Sequence, residues 1–190
     1  MDKQDLVNEI LDRELAMFQA VKTDQAAPCR DHPETFRNMR NAQFQAWSVE
    51  TLASYCDDLT SAARGKRNLM TLKYARMDNR IPVLNNNKLI PEIVAIQVAW
   101  QKEMAQNYPH LINRGRPIDG DHGYMTSFER YLACELETYS DLTIACLRKD
   151  LQNALDRKEN LTEKVYTLMV KGLGYQSIEE AEKEAGARHP

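Results

Sequence analysis

Several charged side chains interrupt faces that should otherwise be apolar. A helix advances about 100° per residue, so each helical segment can be projected and its apolar stripe inspected. Leu6, Val7, Ile10, Leu11, Met17, Phe18 and Val21 define one stripe, and Glu14 falls in its middle. Ile93, Trp100 and Met104 define another, with Gln97 at its centre and Glu103 at its edge beside Ile96. Phe128, Glu135 and Leu142 recur at sevens, which puts Glu135 on a core-facing line. Arg40 and Gln43 lie between Phe36 and Trp47, and Lys73 lies beside Leu69 and Leu72.

A carboxylate on an apolar stripe is expensive to bury unless it is paired. Carboxylates and cations on separate helices therefore point to one enclosed polar cluster, which has two readings. In the first, Glu14 and Glu135 are the acid–base pair of a small-molecule enzyme or binder. Arg40 and Lys73 then hold an anionic ligand, and Gln43, Gln97 and Glu103 complete the wall. Arg114 and Arg116, around a glycine in Arg114-Gly115-Arg116-Pro117, would clamp a carboxylate or phosphate at the rim. Their structural alternative is to cap helix carbonyls or pair with the acidic surface. In the second reading the inward charges are ion pairs that fix how the helices align. The chain would then be a non-catalytic interaction or regulatory protein.

Other reactive residues carry less. Cys29, between Pro28 and Arg30 and near His32, has the setting of a nucleophile, although a lone loop cysteine is more often inert. The four histidines lie in loops or the tail, and none follows a glutamate at di-iron spacing. Asp119-Gly120-Asp121-His122-Gly123 lacks the remaining ligands of a calcium loop. No metal site is expected, and no cofactor is named. Gly-rich phosphate loops, nucleophile elbows and kinase signatures are absent.

Helical periodicity dominates the elements that must position these residues. Helices are expected near 4–22, 33–64, 68–79, 91–107, 127–157, 160–172 and 178–186. The pairs Asp31/Glu34, Thr126/Glu129, Asn160/Glu163 and Ser177/Glu180 match a cap-x-x-Glu start. Gly65, Gly172 and Gly174 mark stops, and Pro82, Pro91 and Pro109 punctuate the connections. Asn160 in Asn160-Leu161-Thr162 is better read as a helix cap than as a glycosylation acceptor. The long connections are 23–32, 80–90 and 108–126, and long ordered loops are disproportionately functional. The expected fold is all-α: a compact bundle of six or seven helices in a single domain over 1–190.

An internal repeat is one further reading. Phe44, Trp47, Leu52 and Tyr55 have the same spacing as Phe128, Tyr131, Leu136 and Tyr139. Tyr74 and Met77 follow an Asn-Leu pair as Tyr166 and Met169 follow another. The order fits a duplicated three-helix unit, 4–79 and 91–172. It fits equally the ordinary likeness of amphipathic helices.

With 43% apolar and 28% charged residues the composition is that of a globular chain. The net charge is −3, with no extended basic block, which argues against a nucleic-acid partner. The acidic N-terminus does not look like a signal peptide, and no apolar run approaches a membrane span. The four cysteines form no C-x-x-C pair and read as free thiols, so a cytoplasmic location is expected.

Four strings carry a resemblance: TFRNMRNAQFQAW, GKRNLMTLKYARM, IQVAWQKEMAQNYPHLINRGRPI and TSFERYLACELETYS. Spanning about Thr35 to Ser140, they resemble the bacterial family called domain of unknown function 4125. The resemblance implies one full-length domain and assigns no catalytic residue.

Overall fold

The computed structural model describes residues 2–21, 33–120 and 126–187. These residues form ten helices and no strand. They are α1 (Lys3–Gln19), α2 (Pro33–Gln45), α3 (Val49–Arg64), α4 (Leu69–Met77), α5 (Leu89–Asn107), α6 (Pro109–Ile112), α7 (Phe128–Leu136), α8 (Asp141–Asp156), α9 (Leu161–Gly172) and α10 (Ile178–Ala187).

The count exceeds the expected six or seven for two reasons. A short α6 starts at Pro109, and both long segments are broken. The 33–64 segment breaks at Ser48 and the 127–157 segment at Ser140. Each serine takes extended backbone and accepts the N–H three residues on, from Thr51 and Thr143 respectively. Such a cap stabilises the start of the new helix by ~1 kcal/mol. Asn68 and Asn160 cap α4 and α9 in the same way. At α7 the cap is Ser127, which accepts from the Arg130 N–H, rather than the expected Thr126. Asp31 of the first expected capping pair lies outside the described residues.

Helix α1 packs on α2, α3 and α4, while α5 packs on α7, α8 and α9. Between these groups α2 meets α9, α4 meets α7, and α3 lies against α8. Helix α10 covers α6 and α9. The main core runs through both groups, with Ile10, Leu52, Leu59, Ile93, Leu136, Ile144 and Leu147 all buried. A satellite cluster holds Phe18 stacked on Phe36 at 4.8 Å, and a second gathers Met104, Ile112, Val170 and Ile178. Among the described residues no helix is long and apolar enough to cross a membrane.

Hydrogen bonds between the groups come in matched pairs. Asp150 Oδ2 accepts from Ser48 N at 2.9 Å and Thr51 Oγ1 at 2.7 Å. Asp58 Oδ2 accepts from Ser140 N at 3.0 Å and Thr143 Oγ1 at 2.7 Å. Asn38 donates to the Met169 carbonyl at 2.9 Å, and Arg130 Nη2 donates to the Met77 carbonyl at 2.8 Å. The sequence separation is the same for Asn38/Arg130, Ser48/Ser140, Thr51/Thr143, Asp58/Asp150 and Met77/Met169. Asn68 and Asn160, at that separation too, donate to the carbonyls of Met17 in α1 and Trp100 in α5.

This register differs from the one suggested by the aromatic spacing. Phe44 and Trp47 lie at the end of α2 and the following corner, whereas Phe128 and Tyr131 lie inside α7. Trp47 and Tyr139 stand at the same sequence separation as the capping serines Ser48 and Ser140.

Candidate functional site

Glu14 on α1, Arg40 on α2, Lys73 on α4 and Glu135 on α7 meet in the interior, all nearly inaccessible to solvent. Arg40 is the hub. Its Nε and Nη2 donate to the two Glu14 oxygens at 2.6 and 2.5 Å. Its Nη1 donates to Glu135 Oε1 and to Gln43 Oε1, both at 2.8 Å. Lys73 Nζ donates to Glu135 Oε2 at 3.1 Å and to the Tyr131 hydroxyl at 2.9 Å.

Four tyrosines complete the cluster, and the apolar-face reading passed over them as site residues. The Tyr55 hydroxyl donates to Glu14 Oε1 at 2.6 Å, and the Tyr139 hydroxyl to Glu135 Oε1 at 2.8 Å. Their rings lie 4.7 Å apart, with Trp47 edge-on to both. Lys73 Nζ sits 4.3 Å from the Tyr131 ring centre and 5.2 Å from that of Tyr74. Tyrosine looks apolar in a periodicity argument, yet its buried hydroxyl needs a partner. That requirement was the available signal.

Burial opposes the charged form at both Glu135 and Lys73, but their neighbours override it. Arg40 and Lys73, aided by hydrogen bonds from Tyr139 and Arg40, hold the Glu135 carboxyl far below the usual carboxylate range. Glu135, followed by the Tyr131 and Tyr74 hydroxyls, keeps the Lys73 ammonium above its ordinary value. Burial, reinforced by Glu14, pushes the Tyr55 hydroxyl well up, and burial with Glu135 does the same at Tyr139. Efficient general acid–base groups are poised near the working pH. Glu135 and Lys73 are displaced from neutrality in opposite directions and stay charged.

The cluster is also complete. Two carboxylates face two cations, and among the described residues no buried side-chain nitrogen or oxygen lacks a hydrogen-bond partner. Glu135 is inward for a reason other than its spacing by sevens. Helix α7 ends at Leu136, so Leu142 lies on α8, where it is 65% exposed.

Other expected wall residues lie elsewhere. Glu103 is exposed and accepts from Asn160 Nδ2 at 3.2 Å. Gln97 is half-buried on α5, and no hydrogen bond joins it to Arg40, Lys73 or either glutamate. Arg114 donates to the Ala185 carbonyl at 3.1 Å, near the end of α10. Arg116 donates to the Thr126 carbonyl, and its guanidinium lies 4.9 Å from the Tyr131 ring centre, on the outer side of the cluster. Cys29, His32, Asp121 and His122 lie outside the described residues. Among the described residues, no group of three or more histidine, cysteine or acidic side chains is placed to hold a metal.

A cleft of about 400 Å³ lies between α5 and α7. Ile90, Pro91 and Val94 line one side and Ser127, Glu129, Arg130 and Ala133 the other, with Gly120 at the edge, and none of them belongs to the charged cluster.

A family model described as "Protein of unknown function (DUF4125)" matches residues 4–183. No curated protein and no solved structure matches the chain.

Proposed function

The chain belongs to the DUF4125 family, whose description assigns no activity, and from its geometry we propose that it is a non-catalytic helical interaction or regulatory protein. The carrying observation is the closed cluster. Glu14, Arg40, Lys73 and Glu135 satisfy one another, with Glu135 and Lys73 held away from neutral titration. Groups so placed align four helices; they do not stand ready to bind a ligand or move its protons. The proposed setting is the cytoplasm, in keeping with free cysteines at positions 56, 134 and 146.

The matched hydrogen bonds further support a duplicated origin, in which α1, α2, α3 and α4 correspond to α5, α7, α8 and α9. That unit has four helices where the spacing of aromatics suggested three.

A small-molecule binder remains the second reading, and the α5–α7 cleft favours it. Its volume of about 400 Å³ is within the range of ordinary ligand pockets. Glu129 and Arg130 put one carboxylate and one guanidinium on its wall, and the guanidinium also donates to the Met77 carbonyl.

The two readings separate in a native mass spectrum of the protein purified from its own host. The interaction reading expects the bare chain mass or a complex with another protein. A stoichiometric small molecule carried through purification overturns it in favour of the cleft.

A further inference from the structure

The charged cluster is unevenly divided between the two halves, and this division bears on how the halves choose each other. It rests on the duplicated origin inferred above. The first half, α1 to α4, contributes Glu14, Arg40 and Lys73, a net charge of plus one. The second half, α5 and α7 to α9, contributes Glu135 alone, minus one.

The corresponding positions in the other half are neutral. Counting from Asn38 and Arg130, Arg40 corresponds to Leu132 and Gln43 to Glu135. Counting from the caps Asn68 and Asn160, Lys73 corresponds to Val165. Counting back from Met17 and Trp100, whose carbonyls those caps contact, Glu14 corresponds to Gln97.

Two halves built alike can in principle pair in three ways. Within the chain, first half meets second half and the buried charge sums to zero. If two chains paired first half with first half, Gln43 would stand where Glu135 is needed. Each such pairing would bury two uncompensated positive charges. If second half paired with second half, two copies of Glu135 would be buried among Leu132, Val165 and Gln97 without a cation. An unpaired buried charge is strongly destabilising, so both like-with-like pairings are disfavoured. Specificity of this kind comes from the penalty on the wrong partner as much as from the contacts of the right one.

We propose that the Glu14–Arg40–Lys73–Glu135 cluster is a pairing device: its charge division directs each first half onto a second half and rejects like-with-like pairing with the same half of a second copy. The contacts common to both halves cannot make that choice. The Ser48–Asp150 and Ser140–Asp58 bonds are interchangeable, because each half carries the same serine, threonine and aspartate. The cluster, by contrast, tells the halves apart by charge, and the Arg76–Glu137 pair, 2.7 Å apart between α4 and the end of α7, adds to the same distinction.

The test uses the full chain and two double variants that remove the cluster's charge difference between the halves. In Lys73→Met/Glu135→Gln each half contributes zero. In Gln43→Glu/Glu135→Gln each half again contributes zero, and the chain's composition and net charge are unchanged. Each protein is unfolded in denaturant and refolded over a range of concentrations. Circular dichroism then reports helix content, and size-exclusion chromatography with light scattering reports mass. Wild type is expected to refold to a monomer throughout. The double variants are expected to refold with helix content intact and a dimer fraction at least about tenfold above wild type. Helical variants that stay monomeric at every concentration overturn the proposal. So does a wild type that dimerises as readily as the variants. Loss of helix in both variants also overturns it, since the cluster would then set the stability of the fold rather than its choice of partner.

Discussion

At the scale of single residues, the cluster is a case of charges buried at a cost that only mutual pairing offsets. Glu14 receives three hydrogen bonds from Arg40 and Tyr55, and Glu135 receives three from Arg40, Lys73 and Tyr139. Replacing either glutamate by glutamine leaves a buried cation uncompensated, so Glu14→Gln and Glu135→Gln should each lose roughly 3–5 kcal/mol of unfolding free energy. Denaturant titration beside wild type measures this; a loss of ~1 kcal/mol or less would show a hydrated pocket instead. The pH dependence has a definite sign. Glu135 has its folded pKa depressed, so its contribution is complete above the unfolded carboxylate value of about 4.3 and fades as pH falls below it. Lys73 has its folded pKa raised, so its contribution is complete below about 10.4 and fades above it. The combined contribution of Glu135 and Lys73 should therefore be flat from about pH 5 to 9. Glu135→Gln should remove part of the acid-side decline.

At the scale of elements, the informative features are the two corners without glycine or proline. Each is made by a serine that caps a new helix, assisted by an aspartate from the helix opposite. Asp58 serves the start of α8, and Asp150 serves the start of α3. A carboxylate at a helix start satisfies free N–H groups and opposes the positive end of the helix dipole. Asp58→Ala and Asp150→Ala should each cost about 1–2 kcal/mol. The two losses should agree closely, because the contacts are the same. Thermal unfolding of the two variants checks this, and a large cost at one position with none at the other would contradict the reciprocal arrangement.

At the scale of the whole molecule, the packing order is preserved when α1, α2, α3 and α4 are exchanged with α5, α7, α8 and α9. The α1 contacts become the α5 contacts, α2–α9 becomes α7–α4, and α3–α8 maps onto itself. Helices α6 and α10 stand outside this exchange and pack on α5 and α9 of the second group. The two groups of four should superpose with the same handedness about an axis between α3 and α8, which a crystal structure of the protein checks. Opposite handedness would remove the duplication, and the pairing device with it.

What the sequence determined by itself was the class of fold and the identity of its intruders. Helical periodicity, the asparagine caps at positions 68 and 160 and the lack of two-residue alternation sufficed for an all-α chain. Glu14, Arg40 and Lys73 stood out because their charges break apolar stripes, which is a one-dimensional property; Glu135 was singled out by a spacing that crosses the break at Ser140, and only the fold accounts for its inward position. Tertiary structure decided the rest. The serine corners look like helix interior until a partner aspartate arrives from a distant segment to favour the break. Glu103 and Gln97 lie at stripe positions but not at a shared contact, because a stripe fixes a direction about its own helix axis and not what lies opposite. Above all, whether inward charges form an open pocket or a closed network depends on their count and hydrogen-bond geometry where four helices meet. Here two carboxylates and two cations, joined by tyrosine hydroxyls, close it.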